Sequence, residues 1–327
     1  TPLCNARYPL IRPAAAFFQA PACGGEKMRK LLHNYRQHKM IYWMTLPVVL
    51  YFLIFNYVPM FGIVMAFQDY KPTLGFLGSE WVGLQHFSDF FQSDNFVRVM
   101  KNTLILSFSD LIFAFPAPII LALLLNEIRN KPFKRTVQTI SYLPYFLSMV
   151  VICGIIRDFT ASNGPITAIV TALTGKTGNL LSMPEMFRPI FIATNIWQMV
   201  GYNSIIYLAA LSQIDDTQYE AAVIDGAGYW KQCLHVTLPG IAPTIIIMLI
   251  LRVGQLMSVN FEKVLLLYNQ ATYETSDVIS TYVYRQGILN HDYGYSTAVG
   301  LFNSVIGFIL IVATNSLSKK LTETSLF

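Results

Sequence analysis

The sequence predicts an all-α polytopic membrane protein. Hydrophobic residues make up 54% of its 327 residues and charged residues only 13%, about half the charged share of an ordinary soluble domain. Six apolar runs reach the roughly 20 residues that a helix needs to cross the hydrocarbon of a bilayer. They are 41–67, 103–126, 136–157, 187–211, 241–260 and 298–318. We therefore predict six transmembrane helices within residues 41–318.

Basic residues predict the orientation of these helices. They cluster before the first run, after the second and after the sixth, all on one side of the membrane if every run crosses it. The clusters are Arg7, Arg12, Lys27, Arg29, Lys30, Arg36 and Lys39, then Arg129, Lys131, Lys134 and Arg135, then Lys319 and Lys320. The positive-inside rule makes that side, and both termini, cytoplasmic.

The clusters at the ends also define the predicted terminal segments. Residues 1–40 form a basic cytoplasmic arm, either an interfacial helix attracted by anionic lipid or an arm that packs on a neighbouring subunit. Residues 319–327 form a cytoplasmic tail. The net charge of +5 follows from this topology, so it gives no reason to expect nucleic acid as a partner.

The polar loop at 212–240, between the fourth and fifth runs, carries the most information. It reads EAAVIDGAGYWKQCLHVTLP from Glu220 to Pro239, and it lies on the predicted cytoplasmic side. Ala221 and Ala222 favour a short helix that allows close approach of a partner. Gly226 permits a turn that a side chain would obstruct. The loop therefore has the character of a docking element.

Catalytic and metal-binding patterns do not emerge from the sequence. Gly175, Lys176 and Thr177 match the end of a phosphate-binding loop, but Val170 stands where that loop requires its first glycine. The four cysteines lack metal-ligand spacing. We expect no catalytic residue, no metal site and no cofactor in this chain.

Polar residues inside the fourth and fifth runs form two stripes. Asn195, Gln198 and Tyr202 are spaced at i, i+3 and i+7, and Gln255 follows Arg252 by three residues. Arg252 comes about eleven residues into the fifth run, about 17 Å along it. A charge at such depth faces a cavity or a protein interior. The role of Arg252 remains open between a ligand contact, an internal ion pair such as one with Asp110 of the second run, and hydrogen bonds between helices.

The loop resembles the EAA motif of ABC importer permeases. Positions that match the motif are Glu220, Ala221, Ala222, Asp225, Gly226, Ala227, Leu238 and Pro239. Cys233 and Val236 depart from it, since the family often has an aromatic residue and an isoleucine there. Beyond the loop, segments such as FGIVMAFQDYKP, QTISYLPYF and NFEKVLLLYN resemble permeases that import complex oligosaccharides, among them the alginate and aldouronate importers.

The resemblance implies one permease subunit of a type I, maltose-permease-like importer in the bacterial inner membrane. Its partners would be a second, related permease, two ATPase subunits that bind ATP and Mg, and an extracytoplasmic solute-binding protein. The loop would dock in a cleft of the ATPase, and the permease would transport an acidic oligosaccharide by alternating access. The helices that flank the loop would supply the sugar site, at Asn195, Tyr202, Arg252 and Gln255, with Gln198 on the same stripe.

Two other classes of function compete with this interpretation. An ion-coupled secondary transporter would need a membrane-embedded acid for its coupling ion, and Asp110 is the one clear candidate. That class leaves the Glu220 loop unexplained. A membrane-embedded enzyme would need a catalytic constellation, and the sequence offers none.

Overall fold

The computed structural model describes residues 39–322, with side chains described to Lys319. The predicted arm at 1–40 therefore lies outside the described residues except for its last two, and the tail at 319–327 is described only in part. The chain divides between Gly62 and Ile63 into two compact units. Residues 39–61 of the first unit are helical with exposed side chains.

The described residues form helices and one short antiparallel hairpin. In chain order the helices are α1 Lys39–Phe67, α2 Gly75–Gly78, α3 Gln85–Gln92, α4 Asp94–Glu127, α5 Lys131–Phe146, α6 Met149–Thr160, α7 Pro165–Thr174, α8 Pro184–Leu211, α9 Asp216–Ile224, α10 Tyr229–Gly254, α11 Phe261–Leu267, α12 Tyr273–Ser276, α13 Ile279–Tyr284 and α14 Tyr293–Thr322. The strands are β1 Gln68–Asp69 and β2 Glu80–Trp81, with Gln68 opposite Trp81.

Four helices within the described residues are long and apolar enough to cross a membrane: α1, α4, α10 and α14. They contain the first, second, fifth and sixth predicted runs or most of them. The pair α5 and α6 contains the third run and counts as a fifth crossing if the pair is one span, but it is bent by 102°. Helix α8 contains the fourth run and has 28 residues, yet it is not among the four.

The bend between α5 and α6 follows from the local sequence. Pro144 lies in a tight 3-10 turn, Leu143–Phe146, that ends α5. Ser148 is extended and caps the new helix, because its hydroxyl accepts a hydrogen bond from the Val151 amide. Proline removes a backbone donor and the serine caps a fresh helix start. The third run is therefore two short helices.

Three of the long helices contain a widened π turn shortly before a proline. The turns are Leu53–Tyr57, Asp110–Ala114 and Cys233–Thr237, followed by Pro59, Pro116 and Pro239. A proline ring clashes with the carbonyl one turn earlier, and an extra residue in the turn relieves that clash. The second of these turns begins at the buried Asp110.

Helix α8 is the centre of the second unit. It packs against the second half of α4, against α5, α10 and α12. Helix α8 crosses α5 closely at Gly201, where a Cβ atom would lie 2.1 Å from the backbone oxygen of Ser141. This crossing therefore favours glycine, and the polar side chains of Asn195 and Gln198 on α8 are buried.

The predicted run 241–260 is not one helix. Helix α10 begins at Tyr229 and ends at Gly254, so Arg252 lies in the last turn of the helix. The chain then continues without helix to Asn260. Two freed carbonyls find side-chain donors, since Ser107 donates to Leu256 and Asn303 donates to Met257. Non-helical backbone is tolerated in a membrane protein where it is satisfied this way or lines a cavity.

Candidate functional site

A cavity of about 500 Å³ lies where α4, α5, α8 and α10 meet the unwound segment 255–260. Volumes of about 300–1,000 Å³ are typical of small-molecule sites. Its wall is mostly apolar, and polar side chains form the rest. They include Asp110, Tyr145, Asn195, Tyr202, Arg252 and Gln255.

Four of the five residues that the sequence predicts for a substrate pathway line this cavity: Asn195, Tyr202, Arg252 and Gln255. Gln198 is not among its lining residues. It is buried, and its Oε1 has no hydrogen-bond partner among the described residues. On α8, Asn195, Met199 and Asn203 line the cavity and follow one another around one side of the helix. At about 100° per residue, Gln198 lies on the other side of Asn195 from Met199, and therefore outside this series.

An ion pair joins two walls of the cavity. The Arg252 guanidinium contacts one carboxylate oxygen of Asp110, and the Asn195 amide donates to the other. The Asp110 side chain is only 8% exposed, whereas that of Arg252 is 39% exposed. The internal partner considered for Arg252 is therefore present, and the guanidinium still reaches the cavity.

A buried lysine behind this pair is absent from the sequence prediction. The Lys263 amine, on α11, donates to Asn195 Oδ1 at 3.2 Å and is completely buried. Burial lowers the pKa of Lys263 to about 8. Its segment follows the fifth run directly, so in sequence it has the pattern of an ordinary loop lysine.

A tyrosine pair forms another part of the wall that the sequence does not reveal. The rings of Tyr145 and Tyr202 are parallel, with centroids 3.6 Å apart. Tyr145 reaches this place because the turn at Pro144 ends α5 beside α8. The two residues are far apart in sequence, and no local pattern links them.

The first arm of the Glu220 loop is helix α9. Asp215 caps it by accepting a hydrogen bond from the Thr217 amide at 3.0 Å, and this bond holds the pKa of Asp215 below its usual value. Glu220, Ala221 and Ala222 lie in the helix and Asp225 ends it.

Gly226 reverses the chain after α9. It has φ +70°, in the left-handed region that favours glycine. The next amide, of Ala227, donates to the Ala222 carbonyl at 2.9 Å and so closes the helix end. The glycine predicted from the sequence is thus required by the backbone.

The second arm of the loop is the beginning of α10, and hydrogen bonds tie it to the first. The Tyr219 hydroxyl lies 3.1 Å from that of Thr237, and Gln232 donates to the Ala227 carbonyl at 2.8 Å. Leu238 and Pro239 follow at the end of the π turn, where α10 becomes regular. Hydrogen bonds therefore link the loop to the start of α10.

The tip of the loop exposes apolar side chains that are not among the residues predicted from the motif. Ile224 is 86% exposed and Trp230 is 75% exposed. Large exposed apolar groups on a structured loop are typical of a protein–protein contact. In the sequence, their position next to the Glu220 motif is the signal that could have identified them as candidate contact residues.

Groups of three or more His, Cys, Asp or Glu side chains that could hold a metal ion do not occur in the described part of the chain. The cavity and the loop thus present charge, hydrogen bonds and apolar surface as their chemistry.

The chain matches known proteins over most of its length. The model of a family described as binding-protein-dependent transport system inner membrane component matches residues 101–323. Protein LplB of Bacillus subtilis is 47% identical over 89% of this chain and 92% of its own length. The polygalacturonan/rhamnogalacturonan transport system permease protein YteP of the same organism is 44% identical over 94% of this chain and 98% of its own.

Solved structures show the same fold. A chain in the crystal structure of a bacterial ABC transporter involved in the import of the acidic polysaccharide alginate superposes with a TM-score of 0.83 and 42% identity, over 90% of this chain and 99% of that one. A second structure has the alginate transporter in complex with an alginate pentasaccharide-bound periplasmic protein, with a TM-score of 0.83, 41% identity and coverage of 91% and 100%.

These matches define the class. The chain belongs to the family of inner membrane components of binding-protein-dependent transport systems. It is a multi-pass membrane protein with the type I ABC permease fold, and its relatives are permease subunits rather than enzymes.

Proposed function

We propose that this chain is one of two permease subunits of an ATP-driven importer that carries an acidic oligosaccharide across the bacterial inner membrane. One observation carries the proposal: the polar cavity lies at one end of α10 and the docking loop lies at the other. The proposed saccharide site and the proposed ATPase-docking site thus lie at the two ends of one helix.

The cavity supports an acidic saccharide. The exposed part of the Arg252 guanidinium can bind a uronate carboxylate, a pairing that guanidinium geometry favours. Asn195, Gln255 and Tyr202 add the donors and acceptors that sugar hydroxyls need. Two relatives point the same way, since one is named for polygalacturonan and rhamnogalacturonan transport and a solved neighbour belongs to an alginate importer.

We propose six crossings, with both termini in the cytoplasm. The sixth crossing is α8, which can be more polar than the other spans because its polar stripe is buried in the protein. The permease domain is then 41–318, with its coupling loop at 212–240, between the arm at 1–40 and the tail at 319–327. The basic clusters support the orientation.

The proposed assembly contains this chain and a second, homologous permease, with the saccharide pathway between them. Two ATPase subunits bind the loops and hold ATP and Mg, so this chain needs no cofactor. A solute-binding protein delivers the saccharide from outside, and a neighbouring structure supports this partner because it contains a periplasmic protein. The family supports the other subunits.

Coupling is proposed to pass along α10. Closure of the ATPases moves α9, and the bonds from Tyr219 and Gln232 transfer that motion to the start of α10. Arg252 lies about 35 Å further along the helix, at 1.5 Å per residue. Loop motion thereby opens the cavity outward when ATP binds, and hydrolysis returns it to the inward state.

The alternative, ion-coupled transport, needs a carboxylate free to take up the coupling ion. The candidate for that role, Asp110, is already bound by Arg252 and Asn195. The observed pairing therefore favours the ATP-driven importer.

Reconstitution tests the proposal directly. The complex of both permeases and the ATPase is placed in vesicles with the solute-binding protein, and uptake of an oligogalacturonide is measured. We expect uptake with ATP and none with an ion gradient alone. Uptake driven by a gradient without ATP would contradict the proposal.

A further inference from the structure

Lys263 is the feature that the proposed function leaves unexplained. Among the residues that the structure describes, it is the one fully buried lysine. Its amine lies 3.2 Å from Asn195 Oδ1 and 5.8 Å from the centroid of the Phe191 ring. It is not one of the residues that line the cavity. A buried ammonium is costly unless it compensates another charge.

A chain of two hydrogen bonds links Lys263 to the buried carboxylate of Asp110 through Asn195. The Asn195 amide accepts from Lys263 with its oxygen and donates to Asp110 with its nitrogen. Arg252 contacts the second oxygen of the same carboxylate. The row Lys263, Asn195, Asp110 and Arg252, here called the charge row, therefore holds two cations and one anion.

The two cations of the charge row differ in access. Arg252 is partly exposed and lines the cavity. Lys263 is sealed behind Asn195 and Phe191 and cannot contact a guest. Only Arg252 can exchange Asp110 for a carboxylate on a ligand.

This exchange removes the ion pair between Arg252 and Asp110, and the loss leaves the Asp110 carboxylate without that cation. A buried carboxylate that loses its only cation is strongly destabilised. A second cation that remains nearby reduces this cost, because opposite charges interact strongly in a low-dielectric interior. Lys263 at pH 7 is mostly protonated and supplies that charge, since its pKa of about 8 lies above neutral pH.

We propose that Lys263 is the resident counter-ion of Asp110, which frees Arg252 to bind the carboxylate of the transported saccharide. The inference rests on the proposed function, because it assumes that the cavity receives an acidic saccharide. Lys263 is in this account a positioning residue that sets the acid selectivity of the site without touching the ligand.

The test is a competition experiment on the reconstituted complex with all its subunits. Vesicles receive ATP and a mixture of an oligogalacturonide and its methyl ester, each with its own label. The readout is the ratio of acid uptake to ester uptake. The solute-binding protein is the same in every sample, so its own preference cancels when a variant is compared with the wild type.

Two variants separate the charge of Lys263 from its hydrogen bond. Lys263→Met keeps most of the length of the side chain without its charge or its donor, and Lys263→Gln lacks the charge but keeps a donor for Asn195. We expect both to lower the acid-to-ester ratio about tenfold, with little loss of ester uptake. A matched control is Lys176→Met, at an exposed lysine paired with Glu185, which should leave the ratio unchanged.

The decisive comparison uses Asp110→Asn as a background. Without the Asp110 charge, Lys263 has nothing to compensate, so Lys263→Gln should no longer lower the ratio. Equal loss of acid and ester uptake in Lys263→Gln, or the same fall of the ratio in the Asp110→Asn background, would overturn the proposal. A fall in Lys263→Met alone would also overturn it, because a hydrogen bond and not the charge would then be responsible.

Failure of the proposed function and failure of the proposed role of Lys263 give different results. If the wild-type complex takes up neither sugar with ATP, the proposed function is wrong. If it takes up the acid and the variants keep its ratio, only the role of Lys263 is wrong.

Discussion

The two ends of α10 are opposites in how they are built. The loop at its start is a contiguous stretch with exposed apolar side chains at its tip, Ile224 and Trp230. The cavity at its end is assembled from four helices and an unwound segment, with charges that are buried and paired. If the proposed function holds, the partner docks on a site built from local structure, whereas the guest enters a site built from tertiary contacts.

The largest effect is expected where tertiary structure is tightest. Gly201→Ala places a methyl group 2.1 Å from the Ser141 carbonyl oxygen, and overpacking against backbone should cost about 3 kcal/mol. The melting temperature of the purified complex should fall by at least about 5 °C. Gly154→Ala is the control, because its Cβ would meet nothing within 4 Å on α6. Equal melting temperatures for the two variants would show that the crossing of α8 and α5 is looser than described.

A smaller effect, confined to docking, is expected at the tip of the loop. Trp230→Ala removes an exposed side chain that the proposed function places in the contact with the ATPase, and it should weaken that contact by about 2 kcal/mol, or about thirtyfold. The measurement is the amount of ATPase that co-purifies with the permease over a range of salt-matched dilutions. Trp81→Ala, at a tryptophan 63% exposed in β2, should retain the ATPase fully. Loss of the ATPase in both variants would point to a general defect in the protein.

The turn of the loop should respond to backbone conformation alone. Gly226 has φ +70° and Gly228 has φ −67°, and an added Cβ meets nothing within 4 Å at either. Gly226→Ala should therefore cost about 1 kcal/mol through the left-handed conformation, while Gly228→Ala should be tolerated. ATPase stimulation by the loaded solute-binding protein should fall severalfold only in the first. The same response in both variants would contradict the role of the turn.

The smallest expected effect is a pH dependence of acid selectivity. Burial lowers the pKa of Lys263 to about 8, so its charge is present below that pH and is lost above it. The Cys153 thiol is the titratable neighbour whose interaction opposes this shift. Between about pH 7 and about pH 9 the acid-to-ester uptake ratio should fall about fivefold, since about a tenth of the amines remain protonated.

Lys263→Gln supplies the control for that titration, because glutamine does not ionise in this range. Its ratio should stay level over the same pH interval. A parallel fall in the variant would assign the pH dependence to another group.

The same contrast explains what the sequence could predict. The loop motif, its helix and Gly226 are local, so contiguous residues reveal them. Arg252, Asn195 and Tyr202 are recognisable because polar residues are rare in apolar runs. The segment that ends at Asn260 is apolar throughout, so the sequence does not reveal that the helix ends at Gly254. The backbone after Gly254 is stabilised by hydrogen bonds from Ser107 and Asn303, which belong to other helices.

Two parts of the cavity could not be predicted for a related reason. Lys263 follows an apolar run and has the appearance of a loop residue until α11 folds it against Asn195. Tyr145 lines the cavity because the turn at Pro144 ends α5 beside α8, where the chain bends into α6. Both depend on contacts between distant segments, which spacing within one segment does not encode.

The proposed function assigns selectivity for acidic saccharides to Arg252 at one end of α10 and coupling to the ATPase to the loop at the other end. Competition uptake of an oligogalacturonide and its methyl ester tests this in two variants, Arg252→Gln and Trp230→Ala. We predict that Arg252→Gln lowers the acid-to-ester ratio at least about tenfold, about 1.4 kcal/mol or more, while Trp230→Ala lowers both uptakes and leaves the ratio unchanged. Equal losses of acid and ester in Arg252→Gln, or a changed ratio in Trp230→Ala, would contradict the claim.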